Sequence, residues 1–531
     1  MRDMAPGPDA GVRCSELMAA ISLATDVGMG MPLETGLATC RVATDLAGLL
    51  GMSPDLRQRV YQLALLQHIG CTAASAKVAS VMGDELVMRA HAATLDFADQ
   101  RQMLKFLLGH VARTSPPLGR PAALARAVAG GKAMTGTIAD VCEAAMMLGE
   151  RFGYDRQSLR DLGCVYEYWD GNGFPGLAAG EKISEPARVV QVAALAVSAS
   201  RAAGAGWAAD LVQQRSGHSL APAVAAAFVA NASSLIRSLA TAGSLWAEVI
   251  GSEPVPGGLA GDGEIDRVLR AVADFVDLKS PFLVGHSSGV ADLAAAAGQE
   301  LGLPAADVVT IRRAGWLHDI GRVGVSSSIW AQPSPLNAHQ WEQVRLHPYY
   351  TDRVLGHTAF LARLATVASA HHERLDGSGY FRGVAAGQLG PASRVLAAAD
   401  AYHAMTEPRP HRAALSPQAA AGQLRGDADS GRLDAAAVEA VLSAAGQPVA
   451  RRKPAVVAGL TAREVDILRQ VARGLSMRQI ARELSIAPKT VDGHIQRIYA
   501  KIGVSTRAGA TLFALSHALV VTGAENGEIS P

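Results

Sequence analysis

The sequence predicts an all-α protein built from several helical domains, and its composition carries that prediction. Alanine and leucine are abundant, aromatic residues make up only 5% of the chain, and alternating runs of β-branched residues are scarce. Strands that bury one face need such alternation, whereas helices do not. With 531 residues, of which 49% are hydrophobic, the chain is long enough for about three or four domains.

The sequence also indicates a cytoplasmic protein without a membrane partner. No apolar run reaches the about 20 residues that a membrane-spanning helix needs, and residues 1–14 lack the hydrophobic segment of a signal peptide. The five cysteines are scattered and form no CxxC pair. Scattered cysteines are typical of reduced thiols, because disulfide frameworks belong to oxidising compartments.

Residues 15–250 and 264–445 contain matching segments, which indicates an internal duplication. The first matches share one offset of 251 residues. They pair residues 42–43 with 293–294, residues 50–52 with 301–303, and residues 66–70 with 317–321. A later match pairs residues 169–176 with residues 375–382. A fixed offset followed by a second shared motif is typical of a repeated domain.

Two linkers separate the predicted domains. Residues 251–263 are rich in proline and glycine, and residues 446–457 carry a basic run before the last module. We therefore predict two related helical domains at 15–250 and 264–445, which we call the first and second copies. A linker at 446–457 and a C-terminal module at 458–522 follow them.

The second copy contains a cluster of candidate metal ligands. His371 and His372 follow a segment of mostly alanine and aliphatic residues, 361–370, and buried imidazoles need a partner, which is often a metal. A single buried histidine is more often a core residue bonded to backbone, but several together favour a metal site. The candidates are His286, His318, Asp319, His347, His371, His372 and Asp400. Because no cysteine follows Cys164, these nitrogen and oxygen donors suit iron, manganese or zinc.

The first copy lacks most of these donors. The positions that correspond to His286, His318, Asp319, His371, His372 and Asp400 hold Thr35, Gln67, His68, Val165, Tyr166 and Ala194. Valine and alanine cannot coordinate an ion, and a tyrosine would first have to lose a proton with a pKa of about 10. We predict that the first copy binds no metal and is catalytically inactive. It could dock against the second copy or bind a ligand, and the sequence favours neither.

The motifs of the second copy resemble those of the HD-GYP family of phosphodiesterases, a branch of the HD superfamily. The resemblance covers residues 284–444, and its motifs lie at residues 317–321, 371–380, 399–402 and 409–412. It implies tandem HD-type helical domains, of which the first is degenerate. It also implies hydrolysis of cyclic di-GMP to the linear dinucleotide.

By this resemblance, Asp319 bridges two divalent ions, since a carboxylate can offer one oxygen to each ion of a two-metal site. One ion would be completed by His286, His318 and Asp400, and the other by His347, His371 and His372. Family members with a third ion carry a glutamate one helical turn before the first histidine, where this chain has Phe282. We therefore expect two ions, iron or manganese.

The resemblance also implies which residues meet the substrate. Asp319 and Arg322 would be catalytic, although Arg322 replaces the lysine of the family pattern HDxGK. A guanidinium can bind phosphate but is a poor proton donor. Phe381 replaces the proline of the GYP triplet, so a looser turn is expected there. The expected substrate contacts are Asp376, Gly377, Tyr380, Arg409 and Arg412.

Residues 458–522 have the charge and the helix signals of a DNA-binding module. Residues 451–510 contain twelve Lys or Arg against four Asp or Glu, whereas the whole chain has a net charge of +1. Such asymmetry predicts one anion-binding segment. Capping-box patterns begin at Thr461 and Ser476, while Gly474 suits a helix end and Pro488 a helix start.

This pattern of helices resembles the LuxR-type helix-turn-helix domain, which places the helix that starts at Pro488 in the major groove of double-stranded DNA. The residues expected near base edges are Lys489, Thr490 and Asp492, and those expected near phosphates are His494, Arg497 and Lys501. An apolar stripe on the last helix fits core packing as well as the homodimer contact that the resemblance suggests. Its residues are Leu512, Leu515, Leu519 and Val520.

Three functions remain open at this point. The first is an active cyclic-dinucleotide phosphodiesterase joined to a DNA-binding output. The second is a transcription regulator whose second copy senses a nucleotide without useful catalysis, which the changes at Arg322 and Phe381 favour. The third is a phosphohydrolase of another nucleotide, which the HD superfamily allows.

Overall fold

The computed structural model describes residues 11–110, 131–241, 243–448, 457–517 and 519 of the chain. Within these ranges the secondary structure is helical, with three isolated β-bridges and no strand. The all-α prediction is therefore confirmed. The described residues up to Pro448 form one unit, and those of the C-terminal module form another.

The helices of the first copy begin at local sequence signals. The Ser53 hydroxyl accepts a hydrogen bond from Leu56 N before the third helix, whose first residue is Pro54. Asp84 caps the fifth helix in the same way. The described helices are α1 (Cys14–Gly28), α2 (Thr35–Leu49), α3 (Pro54–Leu66), α4 (Ser75–Met82), α5 (Glu85–Ala92), α6 (Gln100–His110), α7 (Gly131–Arg151), α8 (Arg156–Gly163), α9 (Glu185–Arg215), α10 (Pro222–Thr241) and α11 (Leu245–Gly251).

The helices of the second copy repeat those of the first at the offsets seen in the sequence. They are α12 (Asp262–Asp277), α13 (His286–Glu300), α14 (Ala305–Leu317), α15 (Ser327–Trp330), α16 (Ala338–Arg345), α17 (His347–Leu355), α18 (Ala359–Ala368), α19 (Pro391–Thr406), α20 (Pro417–Asp429) and α21 (Ala435–Ala444). Both ends of α2 precede those of α13 by 251 residues, and α3 and α14 are related in the same way. Of the linker predicted at 251–263, residues 252–261 lie between α11 and α12, while its two ends belong to these helices.

One buried hydrogen bond recurs in both copies and extends the correspondence upstream. Asp26 accepts from Gly36 N at 2.9 Å, and Asp277, which lies 251 residues later, accepts from Ser287 N at 3.1 Å. In each copy this carboxylate ties the end of one helix to the start of the next. The first ligand-bearing helix of the second copy, α13, therefore begins at a position that α12 fixes.

Both copies share one hydrophobic core. Ile21 and Leu65 of the first copy and Val272 and Leu317 of the second are buried in the same cluster. In addition, α1 packs against the 3₁₀ turn Ile320–Gly324 of the second copy. The domain boundaries predicted for the two copies stay predictions, and both copies lie in one unit.

Two helices are long and apolar enough to cross a membrane if only length and composition are considered, Glu185–Arg215 and the segment Pro222–Leu239. No such segment was expected from the sequence. The backbone of α9 leaves the helical conformation at Ala203 and Gly204, and most of its buried residues lie before that point, between Pro186 and Ala199. The helix packs against α2 and α3. Core packing thus accounts for much of the apolar character of α9.

The C-terminal unit contains four described helices: α22 (Ala462–Ala472), α23 (Met477–Glu483), α24 (Pro488–Ile502) and α25 (Arg507–Ser516). Both predicted capping boxes are confirmed, because the side chains of Thr461 and Ser476 accept from the backbone N–H three residues on. Gly474 follows α22 with φ of 91°, as expected for a helix end. Most of the predicted linker, residues 449–456, lies outside the described residues.

A buried ion pair links the two copies. The ammonium of Lys279, in the second copy, lies 2.7 Å from Glu85 Oε1, in the first, and both side chains are fully buried. Glu85 also accepts from Ser326 Oγ at 2.7 Å and from Ser327 N at 2.8 Å, while Lys279 donates to Val323 O at 2.9 Å. Two buried charges are tolerated here because each is paired and hydrogen-bonded.

We predict that Lys279→Met lowers the free energy of unfolding by about 3–5 kcal/mol, because it leaves the Glu85 carboxylate buried without its cation. Urea-induced unfolding of the full chain measures the change. The double variant Glu85→Gln/Lys279→Met removes both charges and should be markedly more stable than the single variant. A loss below about 1 kcal/mol in Lys279→Met would show that this pair is not needed for stability.

Candidate functional site

The seven candidate metal ligands of the second copy converge from the ends of different helices. His286 begins α13, His347 begins α17 and Asp400 lies within α19. His318 and Asp319 directly follow α14, and His371 and His372 lie three and four residues beyond the end of α18. Six of the seven residues are buried, and only the His372 side chain is partly exposed, at 17%. The structure thus brings together all the residues that the sequence proposed as ligands.

Asp319 stands between two groups of ligands. Its Oδ2 lies 3.0 Å from His318 Nε2 and 3.6 Å from His286 Nε2, while its Oδ1 lies 3.5 Å from the Nε2 atoms of His347 and His371. Asp400 Oδ1 adds to the first group at 3.3 Å from His286 Nε2. Each oxygen of Asp319 therefore faces a separate set of donors.

Backbone carbonyls orient three of these imidazoles. The Nδ1 atoms of His318, His347 and His371 lie 2.6–2.7 Å from carbonyl oxygens three residues earlier in the chain. A carbonyl only accepts, so each Nδ1 carries the proton and each Nε2 of a neutral ring presents a lone pair to the centre. The Nε2 atoms of His347 and His371 are 3.1 Å apart. Two lone pairs at that distance repel unless a cation or a proton lies between them.

The charges of the centre shift its protonation equilibria strongly. Burial lowers the pKa of His347 to about 3, so this ring is neutral at pH 7. Burial also opposes a charge on His318, but the carboxylates of Asp319 and Asp400 outweigh it and raise the pKa of His318 to about 10. Burial would raise the pKa of Asp319, but Arg322 and His318 hold it well below its usual range. A proton on His318 therefore occupies a place where a metal ion would compete with it.

The donor set fits divalent transition-metal ions. His286 Nε2, His318 Nε2, both oxygens of Asp319 and Asp400 Oδ1 are buried and form no aligned hydrogen bond. Buried polar atoms that lack partners are costly, which indicates that they are kept for a ligand. Imidazole with carboxylate, without sulfur, is typical of iron, manganese and zinc sites.

Arg322 lies against the centre rather than in solvent. Its Nη1 is 2.8 Å from Asp319 Oδ2, and its guanidinium carbon lies 5.2 Å from the centre of the Trp330 ring. The side chain is almost wholly buried. Arg322 thus reaches the predicted bridging carboxylate, and its role in catalysis stays a prediction.

The loop at residues 371–380 brings Tyr380 over the centre. The Tyr380 and His372 rings lie 4.7 Å apart. Asp376 points elsewhere: its Oδ1 accepts from Ser378 N at 3.0 Å and from Ser378 Oγ at 2.7 Å, which closes the turn at Gly377. The buried carboxylate of Glu373 fixes the rest of the loop by accepting from Arg382 N and Val384 N.

The two arginines predicted to bind substrate differ in their surroundings. Arg409 donates to Glu407 Oε2 at 2.8 Å and to Phe282 O at 2.9 Å, beside the His286 side of the centre. Arg412 donates to backbone carbonyls at the end of α19, among them Met405 O at 3.1 Å. Its guanidinium therefore holds the backbone there, and its contact with substrate stays a prediction.

Glu407 and His403 also belong to the site, and neither was predicted from the sequence. Glu407 Oε2 lies 2.9 Å from His286 Nδ1, so it orients the first ligand and leaves His286 Nε2 facing Asp319. His403 Nδ1 lies 3.3 Å from His286 Nδ1 and from Glu407 Oε1. His403 and Glu407 follow Asp400 by three and seven residues. Residues at this spacing share a helix face, so the spacing was a signal in the sequence that could have identified them.

The first copy keeps the frame of this centre without its donors. A Cβ on Gly70 would lie 2.0 Å from Val141 O, and one on the corresponding Gly321 would lie 1.9 Å from His347 O. Val141 is therefore the counterpart of His347, which the sequence left unassigned. Glu167 accepts from Gly176 N, Leu177 N and Ala178 N, as Glu373 does in its own loop. Arg201 and Thr35 are the counterparts of Glu407 and His286. In the first copy Arg201 donates a hydrogen bond to Thr35 Oγ1 at 2.8 Å.

In the C-terminal unit, α24 presents a polar face to solvent. Val491 and Ile498 are buried in the core of this unit, and the residues predicted to meet DNA lie on the remaining faces. Lys489, Thr490, Asp492, Arg497 and Lys501 are exposed, and His494 is half-buried. Their assignment to bases and phosphates stays a prediction.

Two details bear on those assignments. Lys501 Nζ lies 2.7 Å from Glu464 Oε2 and donates to Gly459 O, so its charge already supports the start of α22. Arg497 has no carboxylate partner among the described residues and donates to Gly493 O. Of the apolar stripe predicted on the last helix, Val520 and the side chains of Leu512 and Leu515 lie outside the described residues, and Leu519 packs against the core.

Comparison with known families agrees with both predicted modules. Residues 270–437 match the family described as HD domain, and residues 458–514 match the family described as bacterial regulatory proteins, luxR family. The predictions of an HD domain and of a C-terminal LuxR-type helix-turn-helix domain are therefore confirmed.

Similar proteins match most of this chain or a shorter part of it. A 3'3'-cGAMP-specific phosphodiesterase 3 of Vibrio cholerae is 27% identical over 408 residues, which are 76% of this chain and 88% of that protein. A cyclic di-GMP phosphodiesterase of Thermotoga maritima is 30% identical over 151 residues, 28% of this chain and 40% of that protein.

A crystal structure of a cyclic GMP-AMP specific phosphodiesterase of V. cholerae (V-cGAP3) has the same fold. It superposes with a TM-score of 0.57 at 21% identity and covers 82% of this chain and 98% of that one. The likeness therefore spans both copies of the repeat.

We predict that the purified protein holds about two transition-metal ions per chain. Asp319→Ala should remove most of that metal, because Asp319 is the residue that both ligand groups share. Elemental analysis by inductively coupled plasma mass spectrometry gives the ratio of metal to protein. The exposed His339 of the same copy supplies the control: His339→Ala should hold as much metal as the wild type. Full metal content in Asp319→Ala would show that the ions bind elsewhere.

We also predict that Lys489→Ala and Arg497→Ala weaken DNA binding. If Arg497 meets a phosphate, its loss should also reduce the slope of log affinity against log salt by about one. Binding to duplexes selected from a random pool, measured by fluorescence anisotropy at several salt concentrations, tests both. The matched control is Arg469→Ala, because Arg469 on α22 is already paired with Asp466 and Leu519 O. Unchanged affinity in both α24 variants would contradict the choice of this helix.

Proposed function

We propose that this chain, which is an HD-domain protein with a C-terminal LuxR-type DNA-binding domain, is a metal-dependent phosphodiesterase of cyclic dinucleotides that also binds DNA. One observation carries the proposal: two groups of buried, inward-facing donors stand on either side of Asp319. Such a pair of ion sites suits phosphoester hydrolysis, in which two metal ions act as Lewis acids and activate water. Under this proposal His286, His318 and Asp400 hold one ion, His347, His371 and His372 hold the other, and Asp319 serves both.

The substrate class follows from the cations and the aromatic ring beside the centre. Arg322 and Arg409 bring two positive charges to its edge, and guanidinium groups match the geometry of phosphate oxygens. Tyr380 adds a ring on which a base could stack. Cyclic di-GMP is the substrate that the motifs favour. The similarity to a 3'3'-cGAMP-specific enzyme extends over both copies and makes the mixed dinucleotide the second substrate to test.

Under this proposal, some residues orient the metal ligands and others stabilise charge on the substrate. Glu407 orients the His286 ring, and the carbonyl groups behind His318, His347 and His371 orient theirs. Arg322 would stabilise the charge on the phosphate, but as a guanidinium it does not readily donate a proton to the leaving oxygen. The leaving oxygen would then take its proton from water.

The C-terminal module adds DNA binding to the proposed function. A LuxR-type module on the same chain suggests a transcription regulator that acts in the cytoplasm and whose DNA affinity depends on the bound nucleotide. Such linkage is reciprocal and typically amounts to about 1–3 kcal/mol. The alternative, a sensor without useful catalysis, is favoured by one observation: Arg322 stands where the family pattern has lysine and is paired with Asp319.

The deciding experiment measures hydrolysis and DNA binding together. Wild type, Arg322→Lys, His372→Ala and His339→Ala are loaded with manganese or iron(II) and incubated with cyclic di-GMP or 3'3'-cGAMP. We expect wild type and the His339 control to form the linear dinucleotide, His372→Ala to be slower by at least about 100-fold, and Arg322→Lys to be as fast or faster.

Three other results would contradict the proposed enzyme, each in a different way. Absence of hydrolysis together with a nucleotide-dependent shift in DNA affinity would favour the sensor. Absence of both would contradict the enzyme and the sensor alike. Equal hydrolysis by wild type and His372→Ala would show that the reaction does not use this centre.

A further inference from the structure

A cavity of about 510 Å³ lies in the first copy at the place where the metal centre lies in the second. We call it the first-copy cavity. Its wall includes the counterparts of every candidate ligand except His286; these are Gln67, His68, Val141, Val165, Tyr166 and Ala194. Sites for small organic ligands have volumes of about 300–1,000 Å³. A space of ligand size therefore lies in the first copy where the second copy has its metal donors.

The wall of the first-copy cavity is mostly apolar. Met31, Met88 and Met103 contribute to it, together with Phe106. Methionine side chains are flexible and polarisable, so they adapt to apolar ligands of different shapes. Water gains few hydrogen bonds in such a space, which favours its replacement by an apolar group.

The cations of the wall are not equivalent. Arg215 is paired with the buried carboxylate of Asp96 at 2.5 Å. Arg89 instead donates to neutral acceptors, which are Gly28 O at 3.1 Å, Ser75 Oγ at 3.1 Å and Cys71 O at 2.6 Å. Glu85, one helical turn earlier on α5, is paired with Lys279 instead, and no ion pair among the described residues involves Arg89. Arg89 thus brings to the wall a positive charge that lacks a counter-charge, and these three bonds leave part of its five-donor capacity unused.

The other polar groups of the wall do not supply that counter-charge. Burial, with the help of Arg89, lowers the pKa of His68 to about 4, so the ring is neutral at pH 7, and it bonds to the Tyr166 hydroxyl. Glu167 is buried and accepts three backbone N–H groups of its loop. An anionic group on a ligand would therefore find its partner at Arg89.

We propose that the first-copy cavity binds an amphiphilic carboxylate, with its apolar chain against the methionine wall and its carboxylate at Arg89. A cyclic dinucleotide does not suit this wall, because its phosphates and base edges would lose hydration against apolar side chains. This binding site goes beyond the proposed function and does not rest on it.

The helix that carries Arg89 is connected to the metal centre through a chain of buried contacts. Helix α5 begins at Glu85, which the buried Lys279 binds, and Lys279 donates to Val323 O, next to Arg322. A second route runs from Arg89 through Gly28, where a Cβ would lie 3.3 Å from the Val323 side chain. A ligand that moves α5 would therefore change the 3₁₀ turn that carries Arg322, and cavity and centre would be linked.

Binding is tested by isothermal titration calorimetry of the full chain with dodecanoate, and with dodecanol as the uncharged analogue. We expect wild type to bind about one dodecanoate. Ala194→Phe fills the cavity where the second copy has Asp400 and should weaken binding at least about tenfold. Ala226→Phe, which adds the same bulk at an exposed position of α10, is the control and should bind like wild type. Absence of binding by wild type, or equal binding by Ala194→Phe, would overturn the site.

The charge assignment is tested by Arg89→Met. This variant should weaken dodecanoate binding at least about tenfold and leave dodecanol binding nearly unchanged. Loss of both ligands would overturn the carboxylate assignment, and so would retention of both. Circular dichroism and metal content of each variant report whether the chain still folds.

The link to the metal centre is tested without an activity assay. Dodecanoate is titrated into metal-free and manganese-loaded protein, and we expect the two dissociation constants to differ by at least about fivefold. Glu85→Gln/Lys279→Met should reduce that difference while it preserves binding. Equal constants in wild type would overturn the link.

Discussion

The structure of the second copy depends on one constraint: several imidazole lone pairs are held close together in a buried place, around a single carboxylate. Lone pairs 3.1 Å apart in His347 and His371 repel, and burial removes the water that would relieve them. The helix ends, the carbonyl groups behind each ring and Glu407 all serve to hold this arrangement. Gly321 lets α17 approach the centre, because a Cβ there would lie 1.9 Å from His347 O. A cation or a proton between the rings would relieve this repulsion.

The two copies show which parts of the fold serve the scaffold and which serve the chemistry. Both keep the carboxylate that joins two helices, Asp26 or Asp277, and the one that ties the glycine loop, Glu167 or Glu373. The donors at the centre are replaced in the first copy by groups that bond to one another or leave an apolar space. The shared core and the buried pair of Glu85 and Lys279 then bind the altered copy to the one that keeps its donors.

Much of the fold and of the candidate site could be predicted from the sequence, because the signals lie in short local motifs or recur in both copies. The capping boxes at Thr461 and Ser476 fix helix starts from four residues each, and the constant offset located α2 and α3 against α13 and α14. The seven candidate ligands could be found from residue types and family motifs, and the structure brings them together. The HD and LuxR-type modules were confirmed by family comparison.

The other features could not be predicted from the sequence, because they depend on contacts between distant parts of the chain. The counterpart of His347 could not be assigned from the sequence. Val141 lies between the two matched segments of the repeat, where the offset between the copies changes, and it shares no motif with His347. The pairing of Glu85 with Lys279 joins residues 194 positions apart, and no local pattern indicates it. The engagement of Lys501 with Glu464 and of Arg412 with backbone carbonyls likewise depends on how the chain returns on itself.

Anomalous X-ray scattering from crystals of the manganese-loaded protein tests whether Asp319 holds two metal ions between two sets of ligands. We expect two anomalous peaks about 3.5–4 Å apart. One would lie among His286, His318 and Asp400, the other among His347, His371 and His372, with no peak in the first copy. A map without peaks at Asp319, or with a peak at His68, would contradict this assignment.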